Sequence, residues 1–430
     1  MAGRSDRVGP ATGHGIEDHR MDPFDALWRE LEPIGRDATT GGYRRYAFDT
    51  AELDCREWFV ATARARGLEV ETDRNSNLWA WWVPAGADPS AAALVLGSHL
   101  DSVPDGGAFD GPLGVVSAFA ALDAVRAAGV TPDRPVALVA FADEEGARFG
   151  IACAGSRLMT GQLDPDRARA LVGRDGVTMA EAMSRAGLDP AALGPDPERV
   201  ARIDRFVELH IEQGRGLVER GAAVGVAESI WPHGRYRFTF RGVADHAGTT
   251  RMRDRHDPMV AYARTALAAH AAARESDGRA TFGRIEVEPN ATNAVPSTVR
   301  AWLDARAADQ AALDALVGRV SAGADEGAGT SGTEVELVTE STTPLLTFDV
   351  ELRDRVAAAL GRQRGGDTVP VLPTAAGHDA GILTSVGVPA AMLFVRNPTG
   401  ISHSPDEFAE PADCHAGVDA LAAVLEDLAR

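Results

Sequence analysis

Ala92-Ala93-Leu94-Val95-Leu96-Gly97-Ser98-His99-Leu100-Asp101 and Pro135-Val136-Ala137-Leu138-Val139-Ala140-Phe141-Ala142-Asp143-Glu144-Glu145-Gly146 are two apolar runs that each close on polar residues, with an Ala-, Val- and Leu-rich segment between them at 111–128. A short apolar run that stops at a polar group is the pattern of a buried strand delivering side chains to its carboxyl edge. Residues 92–96 and 135–142 therefore read as strands and 111–128 as a helix. Strand, helix, strand at this spacing is the right-handed parallel crossover unit of an α/β sheet.

Working outward, 42–65 suits an amphipathic helix. The β-rich stretches 68–72 and 78–83 follow, with Asn75-Ser76-Asn77 as the turn between them. Strands are expected at 206–211, carrying His210, and at 222–228. The rhythm then changes. Strands at 235–241, 281–287, 298–305 and 333–339, with helices at 257–274 and 309–322, give the order β-α-β-β-α-β of a ferredoxin-like sandwich. The Gly-, Ala-, Ser- and Thr-rich stretch 323–332 reads as a loop. A helix at 348–360, strands at 368–372 and 390–394, and a closing helix from 416 return to the first architecture. The expected organisation is a disordered leader over 1–20, a first part of the main α/β domain over 21–228, an inserted domain over 229–343, and the remainder of the main domain over 344–430. Met21 is an alternative start to Met1.

The chain has 430 residues, 45% of them apolar and 25% charged, which is ordinary for a folded globular protein. Its 43 basic and 63 acidic residues leave a formal charge of −20, the wrong sign for non-specific binding to nucleic acid or to anionic membranes. No apolar run approaches the length needed to span a bilayer. Without a recognisable export signal, the scattered Cys55, Cys153 and Cys414 predict free thiols in the reducing cytoplasm.

Five segments carry chemistry. Gly97-Ser98-His99-Leu100-Asp101 places an Asp two residues after a His, which suits a metal-binding imidazole oriented by a carboxylate; it equally suits a polar surface turn. Asp110 lies among glycines at a helix entry, where it could also be an ordinary cap, eleven residues beyond His99. Asp143-Glu144-Glu145 follows a strand at the edge where α/β sheets bind ligands. Adjacent carboxylates there are costly unless cations neutralise them. His210, in Glu208-Leu209-His210-Ile211-Glu212-Gln213-Gly214, and His403, in Ile401-Ser402-His403-Ser404-Pro405-Asp406-Glu407, complete the set. Singly, each is more simply structural. Together, three His and two carboxylates fit two borderline divalent ions bridged by one carboxylate.

In this order and spacing the five segments resemble the amidohydrolase branch of the M20 metallopeptidase-like family, which contains allantoate amidohydrolases, N-carbamoyl-L-amino-acid hydrolases and bacterial β-ureidopropionases. The resemblance runs from about residue 25 to the end. It implies a mixed-sheet, zinc-exopeptidase-like catalytic domain whose inserted domain is a lid that also pairs two subunits. It implies His99, Asp110 (bridging), Glu145, His210 and His403 as ligands of two divalent ions, Zn or Mn, with Co or Ni also admissible. Glu144 is then the general base and acid, and Asp101 the clamp on His99. For the substrate, the resemblance implies Gln213, the oxyanion-stabilising His246, the carboxylate-holding Asn293 and Arg306, and the Gly377-His378-Asp379-Ala380 segment.

The expected reaction is hydrolysis of the linear amide or ureido bond of a small N-carbamoyl amino acid or allantoate. An N-formyl- or N-formimino-amino-acid hydrolase is the alternative. A dipeptidase or aminopeptidase, and a non-catalytic binding protein of the same fold, are further ones. One departure stands out. Many relatives read Phe-Val-Pro-Ser before the last His turn, where this chain has Phe394-Val395-Arg396-Asn397-Pro398-Thr399-Gly400. An arginine there could bind a second acidic group on the substrate, and equally suits a solvent-exposed loop.

Overall fold

The computed structural model describes residues 22–429, so the expectations for the 1–20 leader and for the start at Met1 or Met21 lie outside the described residues. In chain order the strands are β1 (Glu69–Thr72), β2 (Leu78–Trp82), β3 (Ala93–His99), β4 (Val136–Phe141), β5 (Ile203–Ile211), β6 (Val224–Ile230), β7 (His233–Arg241) and β8 (Asp245–His246). They continue with β9 (Arg279–Glu288), β10 (Ala294–Val295), β11 (Thr298–Arg306), β12 (Glu334–Thr343), β13 (Leu346–Thr347), β14 (Val371–Thr374) and β15 (Ala390–Val395).

A nine-stranded mixed sheet runs in the order β1-β2-β4-β3-β5-β15-β6-β13, with β14 also paired to β6. Its centre, β4-β3-β5-β15, is parallel. The helix Pro112–Ala127 is the crossover from β3 to β4. Both faces are buried, which is why these strands read as unbroken apolar runs. Leu94, Leu96, Leu138, Leu209 and Leu393 face one core with Phe59, Phe119 and Leu421. Val95, Val139, Phe206, Met392 and Phe394 face the other with Trp79 and Leu383. With four parallel neighbours buried on both sides, their carboxyl ends open on one edge, and the polar residues noted above follow those ends.

A four-stranded antiparallel sheet, β12-β7-β11-β9, carries the helices Pro258–Ser276 and Gln310–Ser331. Phe238, Phe240, Val299 and Leu303 pack against Ala261, Ala269, Leu316 and Val320 of the two helices. The other face is largely solvent-exposed, and β11 alternates accordingly.

Two expectations need correction. The helix expected from 42 starts at Thr50, capped by Asp49. Residues before it are held extended because Tyr43 and Ser102 donate from their backbone nitrogens to Gly106 and Arg45. The stretch 323–332, expected as a loop, is helical to Ser331 and ends on Gly332 at φ +62°. A Cβ on Gly323 would lie 2.5 Å from Ala268, and one on Gly327 would lie 3.0 Å from the carbonyl oxygen of Ala261. The glycines that lower helix propensity thus permit close helix packing, and packing prevails over propensity.

Candidate metal centre

Strand ends deliver the cluster. His99 closes β3, Glu144 and Glu145 follow β4, His210 lies near the end of β5, and His403 sits in the loop after β15. Asp110 arrives through the turn into Pro112–Ala127. The next residue, Gly111, has φ +84°, and a Cβ there would fall 2.4 Å from the His99 ring.

Asp110 joins two triads. Its Oδ1 lies 3.6 Å from His99 Nε2 and 3.2 Å from His210 Nε2. Its Oδ2 lies 3.4 Å from His403 Nε2, which is 3.5 Å from Glu145 Oε2. In each triad, His99-Asp110-His210 and Asp110-Glu145-His403, potential ligand atoms all lie within 4.8 Å of one another. The residues fit a cation on their own chemistry. His99 Nδ1 and His210 Nδ1 lie 3.1 and 2.9 Å from the carbonyl oxygens of Asp101 and Ile211, which favours the proton on Nδ1 and turns the Nε2 lone pair inward. His99 Nε2, His210 Nε2 and Glu145 Oε1 are buried without hydrogen-bond partners. Buried lone pairs facing carboxylates are costly unless a cation satisfies both.

The electrostatics show the same tension. Burial drives Glu144 well above the usual carboxylate range and, with the Asp110 charge, pushes Glu145 up to about 8. Burial also pulls His99 down, but Glu144, Asp101 and Asp110 outweigh it and hold the ring well above its ordinary value. Asp110 is held well below its usual value because its contacts with His210, His403 and His99 overcome desolvation.

Asp101 holds more than a ring. Its two oxygens accept from the backbone nitrogens of Glu144 and Glu145, each at 3.1 Å, while Oδ1 is 3.5 Å from His99 Nδ1. It laces the end of β3 to the turn after β4. Glu144 is buried, with Oε2 3.7 Å from His99 Nε2 and Oε1 accepting from the Cys153 thiol at 3.2 Å. Gln213 donates to Asp110 Oδ2 at 2.8 Å. His378 is buried, its ring centroid 4.5 Å from that of His210, and burial keeps it well below its ordinary value.

The remaining candidates lie elsewhere. His246 and Asn293 are exposed and close to each other, since β8 pairs with β10 and Ala247 N donates to the Asn293 carbonyl. Arg306, at the end of β11, binds Asp304 and donates to the Ala375 carbonyl at 2.6 Å, three residues before His378. Among the described residues, no hydrogen bond or ion pair links these three to the two triads. Arg396 is neither free in a loop nor free for a substrate, because it grips the buried Asp413 with bonds of 2.8 and 2.9 Å. The reading of Arg396 as a contact for an acidic side chain loses its available guanidinium.

The sequence places Glu208 and Glu407 beside candidate ligands without giving them a role, and reads Cys153 only as a free thiol and Asn77 only as a turn residue. Glu208 accepts from Ser98 Oγ and Ala380 N. Asn77 is fully buried and accepts from Ala142 N. The sequence signal for the acids was their nearness to the strand-end histidines. For Cys153 and Asn77 there was none.

The family model described as Peptidase family M20/M25/M40 matches residues 95–427. The chain is 36% identical over 414 residues to an N-carbamoyl-L-amino acid amidohydrolase of Geobacillus stearothermophilus, covering 94% of this chain and 98% of that protein. It is 33% identical over 408 residues to an allantoate amidohydrolase of Escherichia coli K12, covering 93% and 96%. A crystal structure of an amidase of the hydantoinase/carbamoylase family from Burkholderia vietnamiensis superposes with a TM-score of 0.81 at 30% identity, covering 94% of this chain and 97% of that one. Among the described residues, no helix is long and apolar enough to cross a membrane.

Proposed function

The chain belongs to peptidase family M20/M25/M40, and from that premise we propose that it is a metal-dependent amidohydrolase cleaving the linear ureido C–N bond of a small N-carbamoyl amino acid or of allantoate, with release of ammonia and carbon dioxide. The observation that carries the reading is the pair of triads sharing Asp110, with buried imidazole nitrogens left unsatisfied.

In this reading His99, Asp110 and His210 hold one divalent cation, and Asp110, Glu145 and His403 a second, with zinc or manganese matching the mixed imidazole and carboxylate donors. When bound, the cations supply Lewis acidity that polarises the scissile carbonyl and eases deprotonation of water. Glu144 takes the proton and returns it to the departing nitrogen. Its burial gives a carboxyl able to hold a proton between the two transfers. Cys153 and the backbone grip of Asp101 keep that carboxyl in place. Gln213 and His378 flank the reacting group from the same edge.

The segment 229–343 acts as the lid and as the surface that pairs two subunits. On closure His246 steadies the developing oxyanion, and Arg306 with Asn293 holds the substrate carboxylate, Arg306 exchanging part of its present contacts for the bidentate one. The −20 charge and the free thiols fit a cytoplasmic enzyme.

A panel of N-carbamoyl amino acids, allantoate, N-formyl amino acids and dipeptides, offered with Zn²⁺ or Mn²⁺ and read by ammonia and formate release, tests the proposal. Ammonia from the ureido substrates is the expected result. Formate alone would move the activity to the formyl class, and no turnover on any of them would end the enzyme reading.

A further inference from the structure

The two triads differ in what holds them. His99 and His210 are strand residues with 0% and 1% exposure. His403 is half-exposed and lies at φ +55° in the loop after β15. The second triad is therefore only as well formed as the Asp110 and His403 turns are fixed to one another.

One side chain joins those turns. Glu407 is buried at 4% exposure. Its Oε1 accepts from Phe109 N and Asp110 N, both at 3.0 Å. Its Oε2 accepts from Ser402 Oγ at 3.3 Å, and Ser402 Oγ is also 3.4 Å from Asp110 Oδ2. Among the described residues no arginine or histidine forms an ion pair with it, and its hydrogen bonds come from two peptide N–H groups and one hydroxyl. The chain leaves room for it: a Cβ on Gly107 would lie 2.3 Å from Oε1. From the other side the buried Asn397 ties the turn down, accepting from Thr399 N and Gly400 N and donating to the Ile401 carbonyl.

We infer that Glu407 is a positioning residue that couples the backbone of Asp110 to the His403 turn, and so sets the affinity of the Asp110-Glu145-His403 position while leaving the His99-Asp110-His210 position nearly untouched. The inference rests on the two-cation reading above. Its force comes from geometry: one carboxylate oxygen orients two consecutive peptide nitrogens, and the other reaches the residue before His403.

The test is a titration of the metal-free full-length protein with Zn²⁺ against a chromophoric chelator, for wild type, Glu407→Ala, Glu407→Gln and Glu407→Asp. Wild type should take up two ions in separable steps. Losing a residue that orients ligands typically costs about 10–100-fold in metal affinity, so Glu407→Ala should weaken the second step by that much and the first by less than about threefold. Glu407→Gln keeps a carbonyl oxygen for both N–H groups and should stay within about threefold of wild type in both steps. Should Glu407→Ala fail to fold, Glu407→Asp, one methylene short, takes its place with the same selective loss expected. Two unchanged steps in Ala or Asp, an equal loss in both steps, or a Gln variant as impaired as Ala would each overturn the inference. Wild-type protein that takes up no zinc would instead defeat the two-cation reading itself.

Discussion

The polar residues at the carboxyl edge of the nine-stranded sheet are buried and held from distant parts of the chain, whereas those on the open face of the four-stranded sheet stand in water and pair along it. Asp101, Glu208 and Glu407 are 2%, 0% and 4% exposed, and each accepts backbone N–H groups from another segment. Arg237 with Glu340, Arg241 with Glu336 and Arg300 with Glu288 are partly or fully exposed cross-strand pairs. The difference is one of alternatives. A group in the second set that loses its partner turns to water, and the loss is small. A group in the first set has no water to turn to, so removing a partner leaves a desolvated charge or dipole. Function is expected where that cost is carried, and substitutions should separate the two regions by size of effect.

The severest break is Asp110→Asn, which removes the charge shared by both triads. Elemental analysis should find neither cation, and activity should vanish; a variant still holding two ions would mean that the triads do not depend on their common carboxylate. Glu144→Gln comes next. Turnover should fall by about 10²–10⁴-fold with the cation content unchanged, and loss of metal instead would exchange the roles of Glu144 and Glu145.

Arg306 probes the seam between the regions. Arg306→Ala should weaken apparent substrate binding by about 2–3 kcal/mol, seen as a raised KM. An unchanged KM would leave Arg306 as a strut between Asp304 and Ala375. Arg396→Ala strips the partner from Asp413, whose side chain is 5% exposed, and should lower unfolding stability by about 1–3 kcal/mol in urea titrations while altering KM equally for acidic and neutral substrates. A loss confined to acidic substrates would return Arg396 to the pocket. The smallest effect belongs to Arg241→Ala. Its pair with Glu336 is 54% and 58% exposed, so thermal unfolding should report a change within about 0.5 kcal/mol. A loss well above that would reveal this face covered by a second subunit.

Much of the first region was legible before folding. His99, Glu144, Glu145 and His210 each stand at the end of an apolar run, and a short apolar run that stops at polar residues is a local pattern that a sequence displays directly. The order of the four long strands and two long helices over 233–343 was legible for the same reason, while the two-residue strands β8 and β10 among them were not. The helix through Gly323 and Gly327 was not, because its stability comes from close contact with the helix Pro258–Ser276 and glycine composition argues locally for a loop. The ion pair of Arg396, which neither reading of that residue anticipated, was hidden in the same way: its partner Asp413 lies in the first turn of a later helix, and nothing in the intervening residues announces the direction of either side chain.

Sequence by itself determined which side chains could bind a cation or move a proton and at which strand ends they sit, since apolar periodicity is set by near neighbours. Only the tertiary structure decided which carboxylate faces which N–H group, which imidazole nitrogens stay unsatisfied, and that Glu407 grips Phe109 from 298 residues away. Those outcomes depend on desolvation and on contacts across the whole chain, and no short stretch of residues encodes either.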